Sequence, residues 1–270
     1  MINGGNKQLG FTLIEIAVVL VIVGLLLGSF IGSLNQRIET TQRNNTKEQL
    51  EDIKTALLGF ASAYGRLPCP ATTTGGGLEQ PVGGSTTTID CTFQHGFIPG
   101  KTLGIDGAYN RDNLLIDTWG NPIRYSVTIA NSNAFTSVPV PDGMKGIGMD
   151  VLDPDLIICD GDSDSGSACT GAGSPSELID STPFVILSLG KDGSSFVTVA
   201  APDSDQGENA GETVVTANAT GENIAYLVGG NRVFVSKAYS SVVANPFDDL
   251  IIWISPYILY SRMMEAGQLP

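Results

Sequence analysis

The stretch from Phe11 to Leu34, FTLIEIAVVLVIVGLLLGSFIGSL, holds a single charge, Glu15, and none at all from Ile16 onward. The hydrocarbon core of a bilayer takes roughly 20 apolar helical residues to cross, so this stretch predicts a membrane-spanning helix. A secretory signal is the competing reading. The stretch is longer than the roughly 7–15 apolar residues of a signal core, and no small-x-small cleavage site precedes the polar Asn35 and Gln36. Lys7 is the one basic residue before the span, while Arg37, Arg43 and Lys47 follow it. By that balance the rest of the chain faces the cytoplasm. The four cysteines argue for an oxidising compartment instead, and they decide the orientation.

Beyond Leu34 nothing stops the helix, because no proline occurs before Pro68. Leu50, Ile53, Leu57, Phe60, Ala61 and Tyr64 recur at helical spacing and predict a buried stripe, with Gly65 and Pro68 as the stop. A helix over 11–64 is about 80 Å long, half in lipid and half packed on a body, a lollipop shape. Glu15 is the odd residue in the span. A carboxylate there costs about 2.5–3.5 kcal/mol on insertion scales and has no cation within two turns of its own helix, which calls for a partner on another chain. Gly24, Gly28 and Gly32 lie one turn apart on one face and permit close approach of another helix.

Residues 1–50 carry four basic and three acidic side chains, so with −14 over the whole chain the remainder stands at a net charge of −15. Such a body repels phosphate backbones, which excludes nucleic-acid binding. Thirty-three glycines in 270 residues, with many Thr, Ser, Asn and Asp, predict a loop-rich and mostly β body. The four cysteines form two local pairs without the spacing of a zinc knuckle. They predict disulfides Cys69–Cys91 and Cys159–Cys169, the local option among three connectivities. A single histidine, His95, and no G-x-S-x-G leave little for hydrolytic catalysis, so no enzyme is expected. His95 itself is expected at the surface or in a turn.

Gly10-Phe11-Thr12-Leu13-Ile14-Glu15, preceded by a short polar leader and followed by the apolar run, resembles the processing site of type IV pilin-like proteins. The resemblance implies cleavage between Gly10 and Phe11 by a membrane prepilin peptidase and N-methylation of Phe11 by the same enzyme. It also implies that Glu15 neutralises the terminal amine of a neighbouring subunit during filament assembly. Gly32 stands where many major pilins carry a proline, which favours a minor pilin or a type II secretion pseudopilin. Asp117-Thr118-Trp119-Gly120-Asn121-Pro122 and Ser188-Leu189-Gly190-Lys191-Asp192-Gly193 are similar to two pseudopilin signatures. Physically, Gly-Asn-Pro makes a turn, and Tyr125, Val127 and Ile129 then alternate with polar residues as in a half-buried strand.

Gly96 to Thr102 is a poor phosphate loop, since His95 occupies the first glycine position and Pro99 removes a backbone donor. Asp160, Asp162 and Asp164 sit at alternate positions, a spacing that can wrap oxygens around calcium, although no EF-hand is formed. The pseudopilin resemblance adds Asp192, Asp203 and Asp205 as a second calcium region; a solvated acidic loop is the plainer reading, and no cofactor is required. At the C-terminus, Leu250–Ile254 predicts a buried strand. Ser255 as N-cap, Pro256 at the first turn and Gly267 as stop predict a short helix, with Leu259, Met263 and Ala266 on one face.

The expected fold is α+β: a leader over 1–10, a spanning helix over 11–34, its continuation over 35–65, and a periplasmic or extracellular body over 66–270. In that body an antiparallel sheet with disulfide-pinned loops and a short C-terminal helix packs on the long helix. The expected function is structural: a minor subunit of a type IV pilus or type II secretion pseudopilus, drawn from the inner membrane into a filament of other such subunits. The second reading is a tip-located adhesin or substrate-recognition module, built on the loops over 66–115 and 142–180.

Overall fold

The structure, a computed structural model, describes residues 12–80, 91, 93–137, 141–161, 168–170, 175–193, 205–210, 232–241 and 246–270, without the side chains of 27–35 and 208. The chain divides into two compact units, Met1–Asn44 and Asn45–Pro270. Helix α1, Leu13–Tyr64, is 52 residues long and passes from the first unit into the second. It ends as its sequence demands: Gly65 takes φ +70° and donates its N–H to the Ala61 carbonyl at 2.9 Å.

Within the second unit, the apolar stripe of α1 forms one side of the main core. Leu50, Ile53, Leu57 and Ala61 are fully buried. Tyr64, expected on the same face, stands 60% exposed, one residue before the stop. Among the described residues seven strands follow: β1 His95–Phe97, β2 Arg124–Val127, β3 Leu156–Cys159, β4 Glu177–Thr182, β5 Phe184–Ser188, β6 Val233–Val235 and β7 Leu250–Trp253. They form an antiparallel sheet in the order β1-β2-β5-β7 and a smaller sheet in the order β4-β3-β6. The smaller sheet is mixed, because β3 pairs antiparallel with β4 and parallel with β6. Short helices α2 Gly100–Leu103, α3 Ala130–Asn133, α4 Met144–Ile147 and α5 Asp205–Ala210 lie in the connections, and α6 Pro256–Glu265 closes the chain.

The antiparallel sheet is covered on both faces. Along β5, Phe184 and Ile186 point into the core with α1 and α6, while Val185 and Leu187 meet Leu156, Ile158 and Phe234 of the smaller sheet. The half-buried strand expected at 125–129 is therefore a fully buried one over Arg124–Val127, its polar Arg124 and Ser126 included. Ile129 lies beyond its end. Leu250–Trp253 is an edge strand with Ile252 buried and its neighbours half-exposed, since β7 has a partner only in β5. In α6, Leu259 and Met263 are buried as expected, whereas Ala266 is exposed beyond the last turn. Both disulfides close locally, Cys69 with Cys91 and Cys159 with Cys169, with Cα separations of 5.2 and 5.6 Å.

Candidate functional site

The first turn of α1 carries a reciprocal cap. The Thr12 N–H donates to Glu15 Oε2 at 2.9 Å and the Thr12 hydroxyl donates to the same oxygen at 2.8 Å. The Glu15 N–H in turn reaches Thr12 Oγ1 at 3.3 Å. This is a capping box, in which two residues three apart satisfy each other's orphan donors. The signal was present in the sequence as Thr-x-x-Glu before an apolar run, and the expectation of a partner on another chain passed over it. Around Glu15 the stem offers apolar surface on all sides: Leu13 is 92% exposed, and Ile14, Leu20, Val21 and Leu25 also stand out from the helix. A helix that is apolar all round needs lipid or other helices to cover it. Gly24 has no heavy atom within 4 Å of where a Cβ would sit, so its face is open. Gly10 and Phe11 lie outside the described residues, and Gly28 and Gly32 fall in the segment whose side chains are not described. Among the described residues no helix is long and apolar enough to cross a membrane, so the span expected over 11–34 rests on the sequence.

The two signatures in the body meet. Asp117 Oδ1 accepts from the backbone N–H of Trp119 and of Asn121, both at 2.9 Å, which closes the turn around Gly120 at φ +90°. Asp117 Oδ2 accepts from the Ser188 hydroxyl at 2.6 Å, and Asn121 Nδ2 donates to the Gly190 carbonyl at 2.6 Å. Burial pushes the Asp117 carboxyl up from its ordinary value, and these hydrogen bonds oppose the rise. Gly190 sits at φ +65°, where a Cβ would come within 2.6 Å of the Asp248 carboxylate. The two motifs thus form one junction that ties the entry of β2 to the exit of β5.

Next to that junction lies a polar clasp around α5. Gln206 Nε2 donates to Asp248 Oδ1 at 2.6 Å, with Asp192 Oδ1 at 3.4 Å, and the Lys191 N–H donates to Asp248 Oδ2 at 2.6 Å. Asn209 bonds the Val235 backbone through both its amide atoms and donates to Asp249 Oδ2 at 2.7 Å. Arg124, buried, donates to the Ala210 carbonyl at 2.9 Å. Burial brings the Arg124 pKa down to about 10, and the charge of Asp249 opposes that fall. Burial and the neighbouring Asp248 push Asp192 up to about 6, and burial drives Asp249 well above its ordinary range.

This clasp bears on the calcium expectation. Asp205 is ion-paired with Lys237, and Asp192 shares its surroundings with Asp248 and Gln206. Asp160 accepts from the Ser176 N–H and so closes its own turn. Asp162, Asp164 and Asp203 lie outside the described residues. Among the described residues no three His, Cys, Asp or Glu side chains stand close enough to hold a metal.

His95 corrects its expected place. It is buried in β1, its Nδ1 hydrogen-bonded to the Ser126 hydroxyl and its ring stacked 6.2 Å from Phe234. Burial, with the Arg124 charge behind it, brings its pKa down to about 3, so it stands neutral inside the buried strand. The phosphate-loop lookalike is spent on structure. Thr102 Oγ1 accepts from the Glu79 N–H at 2.9 Å, and Lys101 Nζ lies 3.6 Å above the Tyr109 ring.

No curated protein and no solved structure matches the chain. The family model of the prokaryotic N-terminal methylation motif matches residues 5–31, the segment that holds Gly10, Phe11, the Thr12–Glu15 cap and the first two stem glycines. That motif at the head of its long helix, with an antiparallel sheet behind it, supports a type IV pilin-like protein with a prepilin-type cleavage site.

Proposed function

We propose that the chain is a structural subunit of the minor pilin or pseudopilin kind, held in the inner membrane by residues 11–34 and drawn into a type IV pilus or type II secretion pseudopilus. The methylation motif at residues 5–31, heading an apolar stem, carries this reading. A stem of that kind is covered by lipid before assembly and by neighbouring stems afterwards. The partners are a prepilin peptidase that also methylates, and other pilin-like subunits. The body faces the periplasm, where its two disulfides form. Mass analysis of the N-terminal peptide tests the proposal: the mature chain begins at N-methyl-Phe11, and Gly10→Val abolishes cleavage. A mature chain that keeps Met1, or starts after Leu34, overturns it. No cofactor enters this function. Calcium at the Asp160 or Asp203 loops is a separate proposal, read as a higher melting temperature of the full chain in millimolar Ca²⁺; an unchanged melting temperature removes it.

A further inference from the structure

Between α6 and the segment 149–154 runs a groove of about 660 Å³. Tyr257 and Tyr260 stand edge to face in its wall, ring centroids 6.4 Å apart, and the Tyr260 hydroxyl is anchored on the Leu152 carbonyl at 3.2 Å. Apolar side chains are held open to solvent here: Tyr257 is 78%, Val151 53% and Met264 44% exposed. Asp150 and Asp153 line the groove as well, and among the described residues no Lys, Arg or His does. Asp153 is close enough to Tyr260 for its charge to help push the phenol upward. Two carboxylates sharing a groove with tyrosine rings and a methionine select a guest with an apolar body and a cationic head. Anions are repelled.

We propose that this groove receives the stem of a second copy of the chain, through Arg37 and Ile38. The inference rests on the filament-subunit reading. Residues 35–47, the collar that remains after cleavage, carry Arg37, Arg43 and Lys47 against Glu39, while residues 51–270 stand at −15, so the collar of the stem and the acidic groove are complementary. Arg37 and Ile38 are adjacent and exposed on α1, Ile38 at 57%, which supplies a guanidinium and an apolar body side by side. The Arg37 guanidinium suits the paired carboxylates and can stack on Tyr257. A collar on one copy meeting a groove on the next is a heterologous contact, the kind that propagates as an open helix and does not close as a dimer.

The test uses the full chain in sheared filaments. All four native cysteines are in disulfides, so an added pair reports its own contact. On oxidation, Arg37→Cys with Met264→Cys gives a ladder of dimers, trimers and longer species, because each copy carries both halves of the contact. Arg37→Cys with Arg111→Cys, the latter a 95% exposed side chain outside the groove, gives monomer. A charge swap provides the second arm. Arg37→Asp and Asp153→Lys each lower filament incorporation by about tenfold, and the double variant restores it. Filaments that form with no ladder and no rescue, a cross-link confined within one chain, or equal ladders from both cysteine pairs overturn the groove contact and leave the filament reading intact. Absence of the wild-type chain from the filament fraction overturns both.

Discussion

Glu15 serves two demands that can be separated. As the third residue of the first turn it caps Thr12, and under the proposed function its carboxylate meets the amine of a neighbouring subunit. Glutamine at this place keeps most of the cap but not the charge. If the charge drives assembly, Glu15→Gln and Glu15→Val both leave membrane insertion intact and both vanish from the sheared-filament fraction. Normal incorporation of the Gln variant assigns the residue to capping. Two groups in the body, the half-buried Asp192 and the buried His95, give opposite pH slopes. Asp192, raised to about 6, holds its proton more tightly folded than unfolded, so its contribution is present below about pH 4 and is lost as pH rises through 6. His95, lowered to about 3, is held neutral when folded, so its contribution is present above about pH 6.5 and is lost as pH falls toward 3. Melting curves from pH 3 to 8 check both: Asp192→Asn removes the decline between 4 and 6, and His95→Asn removes the acid loss.

The elements that could be read in advance are those written locally. The helix stop at Gly65 and the start of α6 at Ser255-Pro256 depend on residues a few positions apart. So do the two disulfide loops, whose cysteines lie 22 and 10 positions apart. The smaller sheet could not be read. Its parallel pair joins Ile157–Cys159 to Val233–Val235, two short apolar runs far apart in the chain, and nothing local to either run names the other. The same gap misplaced His95 and made β2 look half-buried, since both conclusions require a second layer over that face. The junction of Asp117 with Ser188 was also invisible, although each motif stood out separately. Removing Leu259, fully buried where α6 meets the core, by Leu259→Ala costs about 2–5 kcal/mol in denaturant unfolding. Replacing Cys69 and Cys91 with serine costs roughly 3 kcal/mol, because a loop of that size no longer restricts the unfolded chain. A loss near zero for the serine pair shows that the loop is held by other contacts, among them the Arg66–Glu79 pair at 2.8 Å.

For the molecule as a whole, function was legible where fold was least demanding. The methylation motif occupies residues 5–31, while the body is held by contacts far apart in sequence. That body also reserves its closure for the end. The edge strand β7, helix α6 and the residues around them supply Ile252, Ile254, Leu259, Met263 and Leu269 to the main core, all from beyond Asp249. A variant truncated after Asp249 keeps the α1 stripe but loses this side of the core, so limited proteolysis is expected to cut its body where the full chain resists.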